Sequence, residues 1–117
     1  MDLLVAHHEG HVLAKLNGPL DDKAREPFRE KLHPLFAQRN TWLILDLSGS
    51  PRINSSGIGN LVALVADANT NGCRVTFCSL TPFVASVMSV TKLDKFFDIA
   101  PSVAEAIARP IRPAAAE

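Results

Sequence analysis

The sequence predicts one α/β domain built on a mixed sheet of four to five strands. An N-terminal hairpin leads into parallel βαβ units covered by about four helices. Three observations predict it. Two short strand-like runs, residues 3–8 and 11–17, flank Glu9-Gly10, which is the pattern of a hairpin. Helical and strand patterns then alternate, which implies a parallel sheet with helical crossovers. The run Trp42-Leu43-Ile44-Leu45 is apolar without a break, as a strand buried on both faces requires.

The elements follow in order. Val12, Ala14 and Leu16 share one face of the second strand, and Gly18-Pro19 breaks it. Asp21 or Asp22 is placed to cap the next helix. That helix presents Phe28, Leu32, Leu35 and Phe36 on one side, but Pro34 deletes an interior bond and predicts a kink or two short helices. The third strand covers residues 42–47. The second helix starts near Ser56 and runs to about Thr70, where Asn71-Gly72 supplies a left-handed stop. Gly57 and Gly59 are expected to let this helix pack closely on the sheet. Residues 73–78 form the fourth strand. Thr81-Pro82 reads as N-cap and first helical residue of a third helix burying Phe83, Val84, Val87 and Met88. Residues 96–99 read as the last strand, and Ser102-Val103-Ala104-Glu105 as a capping box for the last helix. The domain is expected over residues 1–109, with 110–117 a disordered tail.

Composition excludes several classes. The 117 residues include 12 basic and 12 acidic side chains, so the formal net charge is zero. A direct nucleic-acid binder needs a basic face, which this balance argues against. No apolar run reaches the length of a membrane span, and residues 2–6 do not resemble a signal peptide. Cys73 and Cys78 lie in one strand, about 17 Å apart. A disulfide needs Cα atoms within roughly 7 Å, so both are expected reduced, in keeping with a cytoplasmic location.

The chemistry concentrates between the third strand and the second helix. Two hydroxyls, Ser55 and Ser56, stand where a buried strand hands over to a helix N-terminus, a position whose free N–H groups suit an anion. Read alone, serine at such a place is a helix cap. The nucleophile elbow of serine hydrolases is absent. His7, His8, His11 and His33 have no evident partner acid. His8 and His11 flank a turn and could meet a metal, yet two histidines without further ligands read as surface residues. No metal set and no cofactor are expected.

Taken together these segments resemble the STAS domain family, which includes bacterial anti-sigma factor antagonists and the cytoplasmic domains of sulfate transporters. Three stretches carry the resemblance: Gly18-Pro19-Leu20-Asp21; Leu45-Asp46-Leu47-Ser48-Gly49 followed by Ile53-Asn54-Ser55-Ser56-Gly57-Ile58-Gly59; and Lys92-Leu93-Asp94-Lys95-Phe96-Phe97. The resemblance implies a STAS-like fold and a non-enzymatic switch. Ser55 would be the phosphoacceptor, with Asp21, Arg52, Asn54, Ser56 and Gly57 around it forming the docking surface. The implied partners are an anti-sigma factor that is a serine kinase, bound while Ser55 is unphosphorylated, and a serine phosphatase. A homodimer is also compatible. Two departures stand out: Asn54 replaces the family's aspartate, and Arg52 stands where an apolar residue is usual. The alternative is a constitutive STAS scaffold subunit of a signalling or lipid-transport complex, in which Ser55 is only a helix cap.

Overall fold

The computed structural model describes residues 2–108. Strands β1 (Asp2–His8) and β2 (His11–Asn17) form the hairpin. Helix α1 (Arg25–Lys31) leads to β3 (Trp42–Gly49), α2 (Ser55–Thr70), β4 (Arg74–Cys78), α3 (Pro82–Val90), β5 (Asp98–Ala100) and α4 (Val103–Ala108). The sheet runs β1-β2-β3-β4-β5. Only the β1–β2 pair is antiparallel; the other three pairs are parallel. The expected boundary at 109 and the tail beyond it lie outside the described residues.

Strand alternation divides the side chains into two cores. On one face Val12, Ala14 and Leu16 meet Leu43, Leu45, Leu47, Val75 and Phe77, covered by Phe28 of α1, Leu61, Leu64 and Ala68 of α2, and Val84 and Met88 of α3. On the other face Trp42, Ile44, Cys78 and Ala100 are covered by Ala106 of α4. Residues 42–45 are all buried, because β3 is the central strand with helices on both sides.

Pro34 acts as expected. It ends α1, and residues His33–Ala37 continue as a separate 3-10 turn that still buries Phe36. Helix α2 ends in a paired hydrogen-bond motif. Gly72, at φ 69, donates to the Asn69 carbonyl and Cys73 donates to that of Ala68. Both cysteines are free and buried. Burial, reinforced by Asp46, pushes the Cys78 thiol up to about 11, which keeps it protonated and unreactive. No helix among the described residues is long and apolar enough to cross a membrane.

Several expectations are corrected. Phe83 is 51% exposed and not a core residue; the buried stripe of α3 is Val84 and Met88. The last strand begins at Asp98, and Phe96 stands exposed before it. Gly59 faces open space and packs on nothing. His33 does have an acid, since its Nδ1 lies 2.7 Å from Asp67 Oδ2 across the α1–α2 side of the molecule.

Candidate functional site

The site is built by two loops that run side by side at the carboxyl ends of β2 and β3. Ile53 forms an isolated parallel bridge with Leu20. The Leu20 N–H donates to the Arg52 carbonyl at 2.8 Å, and the Asn54 N–H donates to the Leu20 carbonyl at 3.1 Å. Because this segment is extended, Ile53 turns inward and is buried, while Arg52 and Asn54 share the outward side.

Asn54 then starts α2. Its backbone is extended, at φ −120 and ψ −175, and its side-chain oxygen accepts from the Gly57 N–H at 2.9 Å. That is the N-cap bond. The cap is therefore Asn54, and neither Ser55 nor Ser56 takes the role expected of a serine here. Both are helical residues of the first turn, and both are exposed. The helix begins one residue earlier than expected.

Gly57 is required by close packing. A Cβ at this position would overlap the backbone carbonyl of Leu20. One turn on, Asn60 Nδ2 donates to the Asp21 carbonyl at 2.9 Å. The Asp21 carboxylate accepts from the Lys23 N–H at 2.9 Å and so caps its own short turn. The first turn of α2 and the Pro19–Asp21 loop thus form one clamped unit. A third segment joins it: the Thr81 hydroxyl, expected to cap α3, donates instead to the Ser50 carbonyl at 2.8 Å.

Between these segments lies an open cleft of about 260 Å³, lined by Pro19, Leu20, Asp21, Arg52, Ile53, Asn54 and Phe83. Its floor is apolar and its rim carries one acid, one base and one amide. The structure brings Asp21, Arg52 and Asn54 together in this cleft. Ser55, Ser56 and Gly57 follow it on the adjoining turn. Asn60, Thr81 and Phe83 were not legible as site residues. Asn60 and Thr81 act through contacts remote in sequence. Phe83 sits at the margin of a nine-residue helix on which two apolar stripes compete.

The arrangement places exposed hydroxyls on the helix start beside a small, open apolar cleft with a charged rim. The fold is that of a small α/β module. The STAS domain model matches residues 2–106, so the chain belongs to the STAS domain family. An anti-sigma F factor antagonist from Paenibacillus polymyxa is 23% identical over 100 residues, spanning 85% of this chain and 86% of that one. Among solved structures, an anti-sigma factor antagonist from Mycobacterium paratuberculosis aligns with TM-score 0.74 at 23% identity, covering 91% of this chain and 90% of that one. RsbS from Moorella thermoacetica, in a serine-to-glutamate form, aligns with TM-score 0.75 at 16% identity, covering 92% of each.

Proposed function

We propose that this protein is an anti-sigma factor antagonist that works as a binding switch, not as an enzyme, in the cytoplasm. It binds an anti-sigma factor with serine kinase activity while Ser55 is unphosphorylated, and it is released when Ser55 is phosphorylated. A serine phosphatase resets it. The observation that carries this reading is the division of labour at the start of α2. Asn54 caps the helix, so Ser55 is exposed and not needed for the cap. The relative from Paenibacillus polymyxa, described as an anti-sigma F factor antagonist, supports it.

The physics suits a reversible mark. Phosphate brings about −1.5 to −2 charges, and the N-terminal end of a helix tolerates them. The phosphoprotein therefore keeps its fold. A docked partner fares worse, because the dianion must be desolvated beside the Asp21 rim. A penalty of even about 3 kcal/mol weakens binding more than a hundredfold. Asn54 in place of aspartate removes one repelling charge next to the acceptor, which favours retention of the phosphate.

The test is phosphopeptide mass spectrometry on protein purified from its native cell, paired with affinity for the cognate kinase. One phosphate on Ser55 is expected. Ser55→Asp should bind the kinase over a hundredfold more weakly, and Ser55→Ala should bind yet remain unswitched. Equal affinities of both variants, with Ser55 unmodified under all conditions, would establish the scaffold alternative instead.

A further inference from the structure

At the other end of the sheet the hairpin holds a side-chain pair for which the switch has no use. His8 and His11 face each other directly across the β1–β2 ladder and close its two-residue turn. Gly10, at φ 87, supplies the left-handed residue that turn requires. The two imidazoles stack with centroids 5.0 Å apart and 18° between their planes. His11 also lies edge-on to Trp42, with centroids 6.2 Å apart.

Trp42 gives that stack a fixed wall. It is buried, and its indole N–H donates to Thr76 Oγ1 at 2.9 Å. The Arg74 guanidinium lies 4.9 Å over its ring. Thr76 and Arg74 are in turn held by Asp98, at 2.6 and 2.7 Å. His11 is thus braced from below, and the exposed ring of His8 closes over it.

Directly opposed residues of an antiparallel pair place their Cβ atoms about 4.5–5.5 Å apart. In the stack the two ring planes are nearly parallel, so both rings must turn out of it about their side-chain torsions to bring two nitrogens onto one ion at bond lengths of about 2.0–2.1 Å. Paired imidazoles are the donor set of copper, nickel and zinc, not of magnesium or calcium. Among the described residues no group of three or more His, Cys, Asp or Glu side chains could hold a metal ion. The pair would therefore supply two ligands and solvent the remainder.

We propose that His8 and His11 form a bidentate site for a divalent transition-metal ion at the tip of the hairpin. The site lies at the amino ends of the parallel strands, away from Ser55, and does not depend on the switch reading. Holding the second imidazole beside the first raises its effective concentration. The pair should bind about a hundredfold more tightly than either histidine alone. Copper should exceed nickel, and manganese should be weakest. Binding the folded chain alone also raises Tm.

The test uses the full chain without a polyhistidine tag, which would itself chelate. Trp42 is the only tryptophan and there is no tyrosine, so its fluorescence reports the ring next to His11. Titration with copper or nickel chloride should quench it with one equivalent bound. His8→Ala and His11→Ala should each weaken binding about a hundredfold. His7→Ala, on the opposite face of β1, should leave it unchanged. His8→Asn and metal-free Tm values check that the hairpin persists. Substoichiometric nickel should broaden the imidazole NMR signals of His8 and His11 and spare those of His7 and His33. Equal affinity in wild type and either single variant would overturn the proposal. So would broadening that does not single out His8 and His11.

Discussion

The two ends of the sheet are held by opposite means. At the carboxyl ends, the candidate site is fixed through the backbone, by strand-like pairing, by a glycine contact, and by the Asn54, Asn60 and Thr81 side chains, each of which bonds to main-chain atoms. Leu20 exchanges hydrogen bonds with Arg52 and Asn54, and Gly57 leaves room for the Leu20 carbonyl. At the amino ends, order comes from side chains: Trp42, Thr76, Arg74 and Asp98 form one connected cluster. The difference teaches where each end tolerates change. A backbone-built end can carry new chemistry on its exposed side chains without losing shape. A side-chain-built end loses shape when a member of its cluster is replaced.

The strongest way to break this comparison is at Gly57. Gly57→Ala drives a Cβ into backbone that cannot yield, and it should cost about 3 kcal/mol, lowering Tm by roughly 10 °C. Gly59→Ala, two residues along in open space, should instead stabilise by about 0.5–1 kcal/mol. Thermal melts of the two variants decide it; matching Tm values would dissolve the claim that the site is seated on glycine.

Next comes the amino end. Asp98→Ala removes the acid that binds Arg74 and Thr76. Arg74 Nη1 is already buried with no hydrogen-bond partner among the described residues. The pair keeps partial exposure, so the expected loss is about 2 kcal/mol, below that of a fully buried pair. Denaturant unfolding followed by Trp42 fluorescence measures it. A loss under about 0.5 kcal/mol, the level of ordinary surface substitutions, would mean the cluster is ornamental to stability.

Asn54→Ala should cost about 1 kcal/mol through loss of the cap. Ser55→Ala and Ser56→Ala should stay within about 0.5 kcal/mol of wild type. Urea titrations of the three sharpen the distinction between the cap and the exposed hydroxyls. The reverse ranking would restore Ser55 as the cap.

The smallest effect is one of pH. His11 is held below the usual histidine range by burial and then by the neighbouring His8. The folded protein therefore takes up this proton later than the unfolded chain. Its contribution to stability is complete above about pH 6.5 and is lost as pH falls through the lower, folded value. The Tm of His11→Asn, subtracted from that of wild type, should show a gap that narrows or reverses between about pH 7.5 and 5.5. A gap that widens on acidification would reverse the assigned sign.

Much of this was legible in local sequence, and for physical reasons. A central parallel strand must be apolar throughout, and residues 42–45 are. A glycine after Asn71 ends a helix by its left-handed backbone, and Gly72 does. Pro34 had to break its helix. Asp21, Arg52 and Asn54 were found as neighbours because family-like segments mark both loops. What was not legible depends on which partner wins. Thr81 has the right chemistry for a cap, but the Ser50 carbonyl, 31 residues away in sequence, takes its hydroxyl. Ser55 competes with Asn54 for one role, and backbone angles settle that contest. On α3, Phe83 and Val87 make as good a stripe as Val84 and Met88, and only the sheet beneath selects between them.

The seating of Gly57 against Leu20 has a consequence for how information leaves this molecule. Many regulators relay a local mark by sliding or tilting a helix, so that a distant surface changes. Helix α2 has no slack at its leading end, and its trailing end is locked by the bonds from Gly72 and Cys73. A phosphate placed on the first turn, as the proposed switch requires, would thus be read where it is written. Under the proposed switch, a partner would sense the added charge and bulk directly, and the rest of the chain would stay silent about whether the phosphate is present.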